Sequence, residues 1–266
     1  MHGTVLTRRE QIKAHDDWRG LHLAKSFVKG GMINKARLLQ YFAKSRKRTD
    51  EELASKLVKI SEEILLKVEK VEELDGLLWD VRYKLMGLEG EATHIYYEGL
   101  AMLIPKEYGF KGREKRPPTD PVNAALSFGY TILNSRVLSA IARCGLEPFA
   151  GYLHTDRSGK PSLILDLSEE FRQPIVDRTV ISIFSKRQLN SEKDFMWEGG
   201  RILFSENGKK LFLEALEKQF QSPTKTPAGV KTNMGKAIFH QARNVVRFLL
   251  GRIPSYEPYT WKWWDT

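Results

Sequence analysis

A chain of 266 residues with 41% apolar and 11% aromatic content has enough hydrophobic material for a packed core, which argues against disorder. Its 43 Lys and Arg against 33 Asp and Glu give a formal net charge of +10, favouring an anionic partner, either nucleic acid or an acidic membrane surface. The single cysteine, Cys144, excludes an internal disulfide and a multi-cysteine zinc cage. Met1 to Arg9 lack a signal-peptide core, and no apolar run approaches the ~20 residues that span a bilayer, so the expectation is a soluble cytoplasmic protein.

Residues 1 to 50 hold twelve Lys or Arg against four acids and close on Lys44, Arg46, Lys47 and Arg48. Within them, residues 11 to 42 read as helix in two pieces, because the pair Gly30 and Gly31 is a poor helix interior. Residues 51 to 75 reverse the charge, with four Lys against eight acids. Leu53, Leu57, Ile60, Ile64, Val68, Val71 and Leu74 recur there three or four apart, the period of an amphipathic helix with one apolar face. Thr49 or Asp50 supplies its N-cap and Gly76 its end. Leu77 to Leu103 is a further helical region, stopped by Pro105.

Pro105 to Pro121 contains four prolines, two glycines and five basic residues, and reads as a loop. Asp120 followed by Pro121 opens an apolar helix, Val122 to Cys144, that ends at Gly145. Gly151 to Thr155 and Ser162 to Leu165 are short extended runs around Asp156, Arg157, Ser158 and Gly159, a small hairpin in prospect. The helical period returns from Asp166 through Ile183. Gly208 to Phe220 and Ala237 to Leu250 form the last helices, before an aromatic tail of Tyr256, Tyr259, Trp261, Trp263 and Trp264 whose expected role is packing onto the core. The fold class expected is mainly α, with a small β-hairpin or extended loop near the candidate site.

The most informative stretch delivers His154 on a loop, then Asp166 and Glu169 at a helix start, where residues three apart share a face. Two carboxylates near an imidazole suit Mg²⁺ or Mn²⁺, whose octahedral shells take oxygen ligands, a nitrogen and waters. The same spacing is also that of acids drawn to a helix N-terminus by the macrodipole, and spacing alone does not choose. Glu89 stands between Gly87 and Gly90, so a ligand or backbone can approach it closely, at roughly 1 kcal/mol per helical glycine. His94 and Glu98 lie four apart without a third ligand at metalloprotease spacing, the pattern of a polar helix surface. The basic residues Lys44, Arg46, Lys47, Arg48, Lys111, Arg113, Lys115 and Arg116 are either solvated charge or a track for a phosphate backbone. No phosphate loop, dinucleotide fingerprint or nucleophile elbow is present.

Longer blocks then come into register. Asp120-Pro-Val-Asn-Ala-Ala-Leu-Ser-Phe-Gly-Tyr130, Pro148-Phe-Ala-Gly-Tyr-Leu-His154 and Asp166-Leu-Ser-Glu-Glu-Phe-Arg-Gln-Pro-Ile-Val-Asp177-Arg178 resemble the CRISPR-associated endonuclease and integrase family. Arg9-Glu10-Gln11 with Arg19-Gly20, Gly87-Leu-Glu89-Gly90, Asp194-Phe195 before Gly199-Gly200, and Gln241-Ala-Arg243 agree in order. The resemblance implies a helical catalytic lobe in which Glu89, His154 and Glu169 are catalytic residues and ligands of Mg²⁺ or Mn²⁺, with Asp166 a supporting acid. It also implies a homodimer, assembly with the small ferredoxin-like second Cas protein, and insertion of short DNA fragments into a CRISPR repeat array in a prokaryotic cytoplasm. A DNA-binding scaffold without catalysis and a branched-DNA repair nuclease remain as alternatives. Family members usually open with a β-rich domain before the Arg-x-Gln block, whereas about eight residues precede it here. Residues 1–8 are therefore expected to be a remnant strand or linker of a largely absent β domain, with Met1 to Leu6 its last strand at most, and residues 9–266 the catalytic domain. The family's tyrosine after Gly-Tyr-x-Leu-Leu is replaced by Asn134.

Overall fold

A computed structural model describes residues 4–114, 117–154 and 159–264. The basic residues Lys115 and Arg116, and the turn Asp156, Arg157 and Ser158, lie outside the described residues. The first helix, α1 (Thr4–Lys13), occupies the segment expected to hold a last strand, so residues 4 to 6 are helical instead. A short 3₁₀ turn, Ala14–Asp16, separates it from α2 (Trp18–Arg46), whose first turn is capped by the Asp17 carboxylate accepting from Arg19 N–H.

Helix α2 runs unbroken through Gly30 and Gly31, correcting the two-piece reading. The glycines serve tertiary packing: a Cβ on Gly30 would stand 2.8 Å from Pro258 Cβ and 3.1 Å from Glu170 Cγ, and one on Gly31 3.3 Å from Glu169 Cβ. The missing side chains let the C-terminal tail and the segment bearing Glu169 approach the helix backbone, and that contact offsets the propensity cost. Against α2 pack α3 (Glu51–Glu72) and α4 (Leu78–Leu103). On α3, Asp50 caps Leu53 N–H at 3.0 Å, and Leu57, Ile64 and Val71 are wholly buried. Each such side chain contributes about 1.5–3 kcal/mol relative to exposure.

Helix α5 (Pro121–Arg143) starts as its sequence requires, with Asp120 accepting from Asn123 N–H at 2.8 Å and Pro121 in the first turn. The expected hairpin after it does not form: Ser162–Ser168 is a helix, α6. The backbone donors of residues 151 to 154 are taken by side chains, Gly151 N–H by Ser162 Oγ and the next three by Asp166, leaving none for a strand partner. A π-helical turn, Arg172–Asp177, leads into α7 (Arg178–Ser185). Two hairpins absent from the sequence reading follow. Strands β1 (Phe195–Glu198) and β2 (Arg201–Phe204) pair around Gly199 and Gly200, both at positive φ, as a tight two-residue turn demands. Helix α8 (Glu206–Gln221), the pair β3 (Pro223–Lys225) and β4 (Lys231–Asn233), and α9 (Met234–Leu249) complete the order.

The architecture is mainly α, as expected. Tyr256, Tyr259 and Trp261 of the tail are buried against α2, while Trp264 is 55% exposed. Among the described residues no helix is long and apolar enough to cross a membrane.

Candidate functional site

His154 is positioned entirely by its surroundings. Asp166, wholly buried on α6, accepts backbone N–H bonds from Tyr152 (2.6 Å), Leu153 (3.0 Å) and His154 (3.1 Å). Its Oδ1 also lies 2.7 Å from His154 Nδ1, and because a carboxylate only accepts, that ring nitrogen carries the proton. A carboxylate behind an imidazole fixes both tautomer and ring orientation, leaving Nε2 as the nitrogen available for coordination. Asp166 therefore supports the loop and its histidine. Gly151 permits this approach, since a Cβ there would stand 2.7 Å from Asp166 Oδ2 and 2.5 Å from Ser162 C.

The loop is also tied to the N-terminal block. Gln11 Nε2 donates to the carbonyls of Glu147 (2.9 Å) and Ala150 (2.8 Å), its Oε1 accepts from Glu147 N–H, and Tyr152 Oη donates to Gln11 carbonyl. Gln11, the glutamine of the Arg-x-Gln pattern, thus staples α1 to the histidine loop.

The two glutamates meet across a lysine. Glu89, in the middle of α4, receives hydrogen bonds from Lys35 Nζ at 3.0 Å and Thr93 Oγ1 at 2.6 Å. Burial pushes the Glu89 carboxyl up, but the Lys35 ammonium and the Thr93 hydroxyl outweigh it and hold the group at about 2. Glu169, at the end of α6, is 3% exposed; its Oε1 accepts from Arg172, while its Oε2 lies 3.9 Å from Lys35 Nζ. That Oε2 is buried with no hydrogen-bond donor. On α4, a Cβ at Gly87 or Gly90 would meet nothing within 4 Å, so the flanks of Glu89 are open.

Sequence reasoning did not single out Lys35, nor the layer behind Arg172. There Asp177, fully buried, accepts from Tyr96 Oη at 2.7 Å and Tyr130 Oη at 2.6 Å, and Tyr97 Oη lies 3.0 Å from Tyr130 Oη. Burial pushes the Asp177 carboxyl up to about 6, against the lowering pull of the two hydroxyls and of Arg172 and Lys35. The guanidiniums of Arg172 and Arg113 stand 5.3 Å and 5.6 Å from the Tyr130 ring centroid. Below Glu169, Glu170 is sealed by Tyr256 Oη (2.6 Å), Tyr259 N–H (2.7 Å) and Gln241 Nε2 (2.9 Å), so the tail holds the acid-bearing segment against α2. Asp177 and Gln241 both lie in blocks that carried the family resemblance, the one available signal; Lys35 had none.

Fit to a hard divalent cation rests on the donor set, two carboxylates and an imidazole, and on the orphaned Glu169 Oε2. Among the described residues no three or more His, Cys, Asp or Glu side chains are gathered to hold a metal ion, the ammonium of Lys35 standing between the two glutamates instead. Of the basic residues, Arg113 turns inward to Asn123 Oδ1 (2.8 Å) and Ser127 Oγ (3.0 Å), which ties the basic loop to the start of α5. Lys111 is exposed. Lys44, Lys47 and Arg48 are exposed and Arg46 half-buried around the end of α2, with Lys44 over the Trp263 ring at 4.8 Å. By helical rise Lys44 is roughly 14 Å along the axis from Lys35. His94 and Glu98 pair at 3.3 Å on the exposed face of α4, the polar surface their spacing suggests.

Comparison with known proteins places the chain in a family. The family model for CRISPR associated protein Cas1 matches residues 1–218. The chain is 39% identical to a CRISPR-associated endonuclease Cas1 of Archaeoglobus fulgidus over 98% of its own length and 77% of that protein's. A solved CAS1 protein from Thermotoga maritima superposes with a TM-score of 0.73 at 26% identity, covering 92% of this chain and 70% of the other. In fold alone, a casposase bound to an integration product superposes with a TM-score of 0.80 at 24% identity, over 94% of this chain and 67% of the other. With the matched residues running from α1 through most of α8, the chain belongs to the Cas1 family of CRISPR-associated proteins.

Proposed function

We propose that this chain is a divalent-metal-dependent DNA endonuclease and integrase that inserts short DNA fragments into a CRISPR repeat array. The observation that carries the reading is the convergence of Glu89 and Glu169 on one buried cation, with His154 locked by Asp166. Glu89, His154 and Glu169 would hold Mg²⁺ or Mn²⁺, which when bound supplies Lewis-acid polarisation of the scissile phosphodiester and neutralises the leaving oxygen. In this reading His154 is a ligand through Nε2, the nitrogen that remains available when Asp166 accepts the Nδ1 proton. Arg172 occupies Glu169 Oε1 and so presents Oε2 inward. The attacking group is a DNA 3′-hydroxyl in joining, or water in cleavage. A net charge of +10, with Lys44, Lys47 and Arg48 exposed, favours a polyanionic substrate. The family resemblance adds a homodimer and the small ferredoxin-like second Cas protein as partners, in a prokaryotic cytoplasm.

Glu89→Gln, His154→Ala and Glu169→Gln should each abolish Mn²⁺-dependent nicking and strand transfer while circular dichroism stays unchanged. Activity retained in all three sinks the assignment. Comparing a repeat-array target with a branched duplex separates an integrase from a repair nuclease. A DNA-binding scaffold is the second reading, favoured by the neutralisation of both glutamates by Lys35 and Arg172. It requires salt-sensitive DNA binding with no metal-dependent turnover.

A further inference from the structure

Lys35 is a costly residue to place where it is. Its side chain is 3% exposed on α2, and among the described residues its one hydrogen bond goes to Glu89 Oε1. An ammonium has three donors and is strongly hydrated in water, so burying it with a single hydrogen bond is tolerated only where nearby negative charge compensates. The compensation is the pair of carboxylates, Glu89 at 3.0 Å and Glu169 at 3.9 Å. The relation also works in reverse: two carboxylates facing one space repel each other, and the Lys35 ammonium is the positive charge placed between them.

The same oxygens are those the metal reading assigns as ligands. A divalent ion takes carboxylate oxygens at about 2.0–2.2 Å, closer than an ammonium approaches, and carries twice its charge. The ammonium and the ion cannot both occupy the space between Glu89 Oε1 and Glu169 Oε2. We infer that Lys35 is a built-in competitor of the divalent cation: it holds the two glutamates in the free protein and releases them as the ion binds, so Lys35 sets the metal affinity of the site. The inference rests on the proposed metal site and accounts for the two glutamates being bridged by a side chain rather than gathered with His154. The four-carbon stem of lysine makes the retreat feasible, since it can re-aim its charge without moving α2. Arg172 does not share this role, because it engages the other oxygen of Glu169 and leaves Oε2 exposed to the competition.

The test is direct Mn²⁺ binding to the full chain, followed by the electron paramagnetic resonance signal of free Mn²⁺, for wild type, Lys35→Met, Lys35→Gln and the double variant Glu89→Gln/Glu169→Gln. Removing a competing cation at this distance should tighten binding in Lys35→Met and Lys35→Gln by about tenfold or more. Melting in EDTA should fall in both, and Mn²⁺ should restore it. Binding equal to or weaker than wild type in the Lys35 variants overturns the competitor role while leaving the metal site in place. Mn²⁺ binding that survives in the double glutamate variant removes the metal from this site and takes the inference with it. A readout without substitution uses protein labelled with ¹⁵N at lysine Nζ: saturating Mg²⁺ should shift the Lys35 resonance, and a resonance that does not move contradicts the exchange.

Discussion

The two halves of the site are held in opposite ways. Around His154 the fixing forces are short hydrogen bonds among buried groups: four to Asp166 and a staple from Gln11, none needing an added ion. Around Glu89 and Glu169 the forces are ion pairs with Lys35 and Arg172, which a competing charge can rearrange. The histidine half is thus prebuilt, and the carboxylate half is the part whose geometry responds to what is bound. If the proposed ligand set is the right one, this division keeps the nitrogen donor in place while the charged donors adapt, and the Lys35 electrostatics tune an affinity to which both halves contribute.

The largest effect expected of breaking this contrast is from Asp166→Ala, which strips acceptors from three buried backbone donors and from the histidine. A loss of about 3–5 kcal/mol in denaturant unfolding without added metal is expected. A loss below about 1 kcal/mol would show the histidine half to be less firmly built than its hydrogen bonds indicate.

Next comes pH. The folded Asp177 carboxyl is pushed up to about 6 by burial, above its ordinary 3.8, so the folded state binds its proton more tightly than the unfolded. The associated stability is full below pH ~3.8 and is lost as pH rises through about 6, amounting to about 3 kcal/mol at most. Asp177→Asn should flatten the unfolding free energy across that window, and an unchanged slope would remove Asp177 as its source.

Gln11→Ala should cost about 2 kcal/mol and speed amide hydrogen exchange at Tyr152 to His154, which sharpens the claim that α1 holds the histidine loop. The smallest change expected is for Lys44→Ala, Lys47→Ala and Arg48→Ala, with stability within about 0.5 kcal/mol of wild type. If these side chains meet phosphates, each should reduce the salt slope of DNA binding by about 1.

What the sequence conveyed about these halves follows from the range of the forces involved. Helix α3 and the Asp120-Pro121 start of α5 were readable because periodicity and capping act within a few residues. Gly30 and Gly31 misled because their reason, room for Glu169, Glu170 and Pro258, comes from segments more than a hundred residues away. The expected strand at Ser162 to Leu165 failed likewise, since the donors of 151 to 154 are captured by the side chains of Ser162 and Asp166. Glu89, His154, Glu169 and the supporting Asp166 were named through the family's ordered blocks, whereas spacing left them ambiguous. Lys35 acquires meaning only when α2 and α4 converge, and no local pattern announces that. The β1–β2 turn is different: Gly199-Gly200 between the runs Phe195-Met-Trp-Glu198 and Arg201-Ile-Leu-Phe204 is a local hairpin signal, and it was read only as part of a block.

The measurement that bears most directly on the divided site is pulsed electron paramagnetic resonance of Mn²⁺ bound to the wild-type chain, compared with His154→Ala and Glu89→Gln. Wild type should show nitrogen modulation from one imidazole, His154→Ala should lose it with the ion still weakly bound, and Glu89→Gln should show a large fall in affinity. Nitrogen coupling that persists in His154→Ala, together with undiminished Mn²⁺ binding in Glu89→Gln, would contradict the divided site.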